Sequence, residues 1–390
     1  MTTWSVVKDD TREKRRQDSP RRPFPRILPR IALLACLALV VAGLAAALTP
    51  VLPPDPAEPP FSERARASAL TATLRLRTAG EQLSQAAQVP GSGTGQPAFL
   101  QTVTLLTTQA RALLAPGDFP GEASAANGPP SPSGTSSSAP LPSSAAALAA
   151  ELAGSGSQRL ADAAVADGGM ARLLAAVGTA QLLQVSSLAA GTGADPGAGV
   201  PAQADPASAS ARPSGACPSP DAAASSSLPV PSTGGTLPGA PSLEDALAAT
   251  VRIEAETVYG YQVALTRLGG DAAKPAAEQL ARHEALVGGA ETLSRRHCVP
   301  VPPREAGYAL AQSFLAAPAA GLAGLESATL PVYGDLVALS EGDTRRWAIA
   351  GLLGAARRAA GWGGDPGPLP GLLADTAAFP ALPAGSPAPR

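Results

Sequence analysis

The segment LEDALAATVRIEAETVYGYQVALTRL, residues 243–268, repeats its inward positions in steps of three and four. Leu243, Leu247, Val251, Glu254, Val258, Tyr261, Leu265 and Leu268 form one stripe, as in a long amphipathic helix packed among other helices. Ser242 reads as its N-cap, with Asp245 three residues on, and Gly269-Gly270 ends it. One member of the stripe is a carboxylate. A buried acid needs a partner, so Glu254 carries the sharpest functional question in the chain.

Three further helices follow at short spacing. The first covers 274–297, with an inner face of Leu280, His283, Leu286 or Val287, Ala290 and Leu293; the run CVPVPPRE stops it. The next is interrupted: 305–316, a break at Pro318, then 321–339, with Pro331 expected to kink or restart it. The last covers 344–361 with Asp343 as N-cap. Short loops between four helices predict an antiparallel four-helix bundle over 242–373. Residues 374–390 are Gly, Pro and Ala and read as a disordered tail.

Outward from this bundle the chain is all-α and thinly packed. Gly and Pro number 40 and 42 and aromatics are only 3%. Alanine-rich cores of this kind are helical but bury little area per residue. Residues 61–190 read as an irregular helical region, with helices over 61–88, 97–114, 143–167 and 169–190. A Gly/Pro/Ser/Ala insert at 116–142 and a similar linker at 191–241 cannot form a core and are expected to be disordered. Such a tether lets the two helical regions move unless they dock.

The N-terminus sets the expected location. Residues 1–30 hold nine Lys/Arg against four acids, a basic head expected in the cytoplasm. It runs into IALLACLALVVAGLAAAL, residues 31–48, which carries no charge. Eighteen residues rise roughly 27 Å as a helix, close to a bilayer core of about 30 Å. The basic side stays inside, so a single transmembrane anchor at 31–52 with the bulk of the chain outside is the reading. The alternative is a signal segment cleaved near Ala47, with secretion. A net charge of −2 argues against a nucleic-acid partner. The expected partners are the membrane and an envelope protein, and self-association stays open.

Cys217 and Cys298 both fall in the exported part, where an oxidising compartment permits a disulfide. Two unpaired thiols or an intermolecular bridge are the other outcomes.

A family resemblance rests on Glu254-Ala-Glu256-Thr-Val-Tyr259-Gly-Tyr261, a helix with central His283, a Pro-rich turn, Tyr333-x-Asp335-Leu336, and Ala359-x-x-Trp362 before Pro370-Gly371-Leu372. This succession resembles the ferritin-like domain of unknown function 4439, found in exported proteins of high-GC Gram-positive bacteria. The stretch GGMARLLAAVGTAQLLQ is similar to the companion N-terminal region of such proteins. The resemblance implies a ferritin-like four-helix bundle, an architecture that often holds two irons. Di-iron chemistry needs a Glu-x-x-His from each of two helices. Leu280 stands three before His283, Ser294 stands three before His297, and 344–361 has neither carboxylate nor His. The ligand count argues against a di-iron site, and no cofactor is expected.

Glu254 and His283 can still face one interior, with Glu326 joining after some rotation. Three readings stay open: a buried hydrogen-bonded pair that fixes helix register, a smaller metal site, or a small-ligand pocket. The first is preferred. Tyr259 and Tyr261 are expected to pack with their hydroxyls at a partner or water. Trp347 and Trp362 read as core and cap residues of the last helix. Arg345/Arg346 and Arg357/Arg358 read as solvated charges, or else as partners of Glu254 or of an anion. The sequence thus points to a membrane-tethered binding or scaffold module, more readily than to an enzyme, with a metal-binding or redox protein as the alternative.

Overall fold

The computed structural model describes residues 35, 37–40, 58–88, 95–114, 140–193 and 241–382. The basic head, most of the 31–52 segment, the interior of the 116–142 insert, nearly all of the linker with Cys217, and the end of the tail lie outside them. The chain divides into two units, Met1–Glu58 and Pro59–Arg390. In the first, residues 35 and 37–40 are helical, with Leu37, Leu39 and Val40 exposed.

The second unit is all-helical among its described residues. Its α-helices are α1 (Phe61–Ala86), α2 (Gln96–Leu113), α3 (Ala145–Ala163), α4 (Gly168–Thr192), α5 (Leu243–Leu265), α6 (Ala273–Arg296), the short α7 (Gln312–Ala316), α8 (Pro318–Leu339) and α9 (Gly342–Gly361). Single 3-10 turns sit at Gly270–Ala272 and Thr376–Ala378. α1 packs on α2, α3 on α4, α5 on α6 and α8, and α8 on α9.

Small residues let these helices approach closely. A Cβ at Gly178 on α4 would lie 2.7 Å from the Gly156 carbonyl oxygen on α3, and one at Gly156 would lie 3.0 Å from the Gly178 oxygen. Backbone meets backbone there, and only glycine fits. This substitutes for the large side chains the composition lacks.

α4 is the hub. It is buried on most of its circumference and touches α1, α2, α3, α8 and α9. Among the described residues it is the one helix long and apolar enough to cross a membrane, yet 67% of its apolar window is buried inside the protein. A helix that is apolar all round belongs in a core as readily as in a bilayer.

The two helical regions dock. One apolar core runs from Ala65 and Ala69 on α1 through Leu174 and Val177 on α4 to Val251, Leu286, Leu336 and Leu352 on the C-terminal helices. Polar ties reinforce it. Arg172 on α4 pairs with Asp335 on α8 at 2.5 Å and donates to the Gly371 carbonyl at 2.8 Å. Arg345 on α9 donates to the Ala166 carbonyl at 2.5 Å.

Several expectations need correcting. Residues 305–311 are not helical, so α7 is a single short turn. Pro318 begins α8 at its first turn, where the missing N–H costs nothing. Pro331 neither breaks nor restarts α8, which runs through it as one element. Glu341, not Asp343, is the N-cap of α9. Asp343 instead pairs with Arg346 and Arg296. The insert is ordered at its end, where Leu141 packs on the core and Arg75 donates to the Pro140 carbonyl at 2.7 Å. The tail is placed as far as residue 382, and the Phe379 and Pro380 carbonyls accept from Arg111.

Candidate functional site

The C-terminal helices converge on a set of buried polar side chains. α5 supplies Glu254 and, two turns later, Tyr261; α8 supplies Glu326 and, two turns later, Tyr333. The helices run antiparallel, so each tyrosine meets the other helix's acid. Tyr261 Oη donates to Glu326 Oε1 at 2.7 Å, and Tyr333 Oη donates to Glu254 Oε1 at 2.6 Å. Both tyrosines, both acids and His283 of α6 are fully buried.

His283 bridges the two acids. Its Nδ1 lies 2.6 Å from Glu254 Oε2 and its Nε2 lies 2.8 Å from Glu326 Oε1. A ring with an acceptor on each nitrogen donates from both and is an imidazolium. Burial opposes that charge, but Glu254 and Glu326 outweigh burial and hold the His283 pKa above its ordinary value. Arg358 of α9 adds the second cation, its Nε at 3.0 and 2.9 Å from the two oxygens of Glu326. Burial pushes Glu326 up, yet the His283 hydrogen bond and the Arg358 charge pull it below the usual carboxylate value. Two acids thus face two cations, the condition under which a buried charge set is tolerable.

The outer members close the set. Trp362, at the C-cap of α9, donates Nε1 to Tyr261 Oη at 2.7 Å. Burial, then the neighbouring carboxylate, pushes both tyrosine pKa values up, so both stay hydroxyl donors. Local packing fixes the rings. A Cβ at Gly351 would lie 2.2 Å from Tyr333 Cε1, so glycine there makes room for the phenol. Trp347, one turn before Gly351 on α9, also packs on Tyr333, ring centroids 5.7 Å apart.

Of the residues singled out in the sequence, Glu254, His283, Glu326, Tyr261 and Trp362 come together directly, and Trp347 supports them. Tyr259 lies apart and packs on Tyr308 at 5.7 Å. Cys298 also lies apart. It is disulfide-bonded, and it takes the left-handed position after α6 that glycine usually fills, with φ 57°. Cys217 lies outside the described residues.

Arg345 and Arg358 are buried, which corrects their reading as solvated charges. Tyr333 was missed as a site residue, and Arg358 was read first as a solvated charge, with pairing to Glu254 or an anion as the alternative. A signal existed for each. Tyr333 stands seven after Glu326, on the same face. Arg358 stands four after Gly354, seven after Gly351 and eleven after Trp347, a continuous inward stripe.

The donor set does not suit a metal. A metal needs its ligands to converge on one point. Here the imidazole stands between the carboxylates and spends one nitrogen on each. A guanidinium already covers both oxygens of Glu326. Among the described residues, no three His, Cys, Asp or Glu side chains form a metal-holding group. The arrangement does chemistry of another kind: it holds two acids against two cations in a buried core and links side chains of α5, α6, α8 and α9.

Comparison of the chain with curated proteins and with solved structures gives no match. Residues 246–374, which hold every member of the buried network, match the family model described as Domain of unknown function (DUF4439).

Proposed function

We propose that this protein is a membrane-tethered envelope component whose C-terminal part is a ferritin-like four-helix bundle working as a non-enzymatic binding or scaffold module. The observation that carries this reading is the state of the bundle centre. Where ferritin-like proteins often place irons, this chain places an imidazolium between two carboxylates, with a guanidinium over one of them. The network is built to be rigid and inert. The basic head and the uncharged run at 31–48 support the tether, with the bulk of the chain outside the membrane.

A second reading is a reduced metal or redox site using Glu254, His283 and Glu326. Its support is that three ligand-type side chains and two tyrosines meet in one buried cluster. It requires His283 to release one carboxylate and Arg358 to leave the other. The test is metal content of the purified full-length protein after exposure to iron, manganese and zinc and then dialysis. The binding-module reading expects no stoichiometric metal. One retained metal per chain, lost in a Glu254→Ala/His283→Ala variant, would establish the second reading instead.

A further inference from the structure

The buried network leaves one of its members incompletely used. Arg358 gives its Nε to Glu326, but its Nη2 is buried without a hydrogen-bond partner. That side chain is only 6% exposed. Its free end borders a cavity of about 360 Å³ between α6 and α9. Pro275, Gln279 and Arg282 form one wall, and Arg357, Arg358 and Trp362 the other.

The lining carries three guanidinium groups and no acid. The Arg358 charge is already offset by Glu326. Arg282 and Arg357 have no ion-pair partner among the described residues. Glu278, one turn before Arg282, sits beside Lys274 instead. Arg357 also has a buried Nη2 with no acceptor, and burial alone holds its pKa down, with no carboxylate to oppose it. Arg357 and Arg358 therefore each bring an unmet donor to one concavity that Arg282 also lines, while Gln279 Oε1 is an unmet acceptor in the facing wall.

Unpaired buried donors of this kind are costly, and the cost disappears when an oxyanion accepts them. Two unneutralised guanidiniums match a dianion. Gln279 Oε1 suits a hydroxyl or a remaining proton on the same group, and the Trp362 indole gives an apolar wall. The volume lies near the lower end for small-molecule sites, about 300–1,000 Å³. We propose that the α6–α9 cavity is a binding site for a phosphate monoester, held by Arg282, Arg357 and the free end of Arg358. This deepens the binding-module reading and rests on it. The phosphoryl group can come from a soluble molecule or from a lipid headgroup, and the chemistry recognised is the same.

The experiment uses full-length protein, titrated calorimetrically with inorganic phosphate and with glycerol 3-phosphate. A parallel arm measures co-flotation with phosphatidylcholine vesicles with and without phosphatidic acid. The expected result is saturable binding of one phosphate monoester per chain. Binding of the soluble probes identifies a soluble source; binding only to phosphatidic acid vesicles identifies a headgroup. Arg357→Gln and Arg282→Gln lie outside the Glu254–His283–Glu326 network. Each should weaken binding about tenfold or more while circular dichroism and melting temperature stay unchanged. No binding of any probe, or binding equally strong in both variants, would overturn the proposal. Metal retention is read separately. A protein that binds phosphate and also retains a core metal refutes the inert core but not this site. One that binds neither refutes this site alone.

Discussion

Two buried polar clusters of the Pro59–Arg390 unit differ in kind, although the first half also buries Arg66 and the Arg159–Asp162 pair. Between α2 and α4 the groups are neutral: Gln181 donates to Gln109 Oε1 at 3.1 Å, and Gln184 donates to Thr102 Oγ1 at 2.9 Å. Among α5, α6, α8 and α9 they are charged: Glu254, His283, Glu326 and Arg358. The neutral set tolerates gaps. Gln181 Oε1 and Thr179 Oγ1 are buried with no partner, and the helices still pack. In the charged set every carboxylate oxygen and both imidazole nitrogens are engaged. A missing partner for an amide costs about 1–3 kcal/mol. A missing partner for a buried charge costs about 3–5 kcal/mol. Loss of a partner is therefore expected to cost more in the charged cluster than in the neutral one.

The largest effect is expected from removing Glu326, which holds Tyr261, His283 and Arg358 at once. Glu326→Leu leaves two buried cations facing one acid and should destabilise by about 3–5 kcal/mol, measured by urea unfolding. Tyr333→Phe removes one hydrogen bond to a carboxylate and should cost about 1.5–3 kcal/mol. In the neutral cluster, Gln181→Leu should cost only about 1 kcal/mol, since it strands a single amide oxygen on Gln109. If Gln181→Leu proves as damaging as Glu326→Leu, the contrast between the two clusters fails.

The pH axis sharpens the same contrast. The His283 pKa is raised by folding, so its contribution is complete below the ordinary value of 6.5 and is lost as pH rises through the folded value. That of Glu326 is lowered, so its contribution is complete above 4.5 and is lost as pH falls through the folded value. Stability should pass through a plateau between these limits and decline on both sides. A Glu326→Gln/His283→Gln variant should flatten both declines, as read from melting temperature against pH. The Gln181→Leu variant should keep both.

Much of this was legible in the sequence, for definite reasons. Glu254 announced itself because a carboxylate interrupted a stripe of Leu, Val and Tyr. Ser242 was readable as a cap, and its hydroxyl does accept the Asp245 N–H, at 3.1 Å. Arg358 was hidden because adjacent arginines near a helix end usually face water, and only the depth of α9 in the fold reverses that. Tyr333 stands out in the run Tyr333-x-Asp335-Leu336, but its place in the core follows from standing one heptad after Glu326. The role of α4 was obscured differently. Its apolar circumference says that it is surrounded, but not by what, and the docking of two regions across a long linker is a property of surfaces rather than of periodicity. Pro331 shows the reverse case, where a residue expected to kink or restart the helix lies inside one continuous element.

The most direct test of the charge-balanced core is the nitrogen chemical shifts of the His283 imidazole in ¹⁵N-labelled full-length protein, followed from acid to alkaline pH. Protons on both nitrogens at neutral pH, persisting well above the ordinary histidine range, are the predicted result. A neutral ring with one bare nitrogen at neutral pH would contradict it, and would leave His283 with a lone pair free to bind a metal.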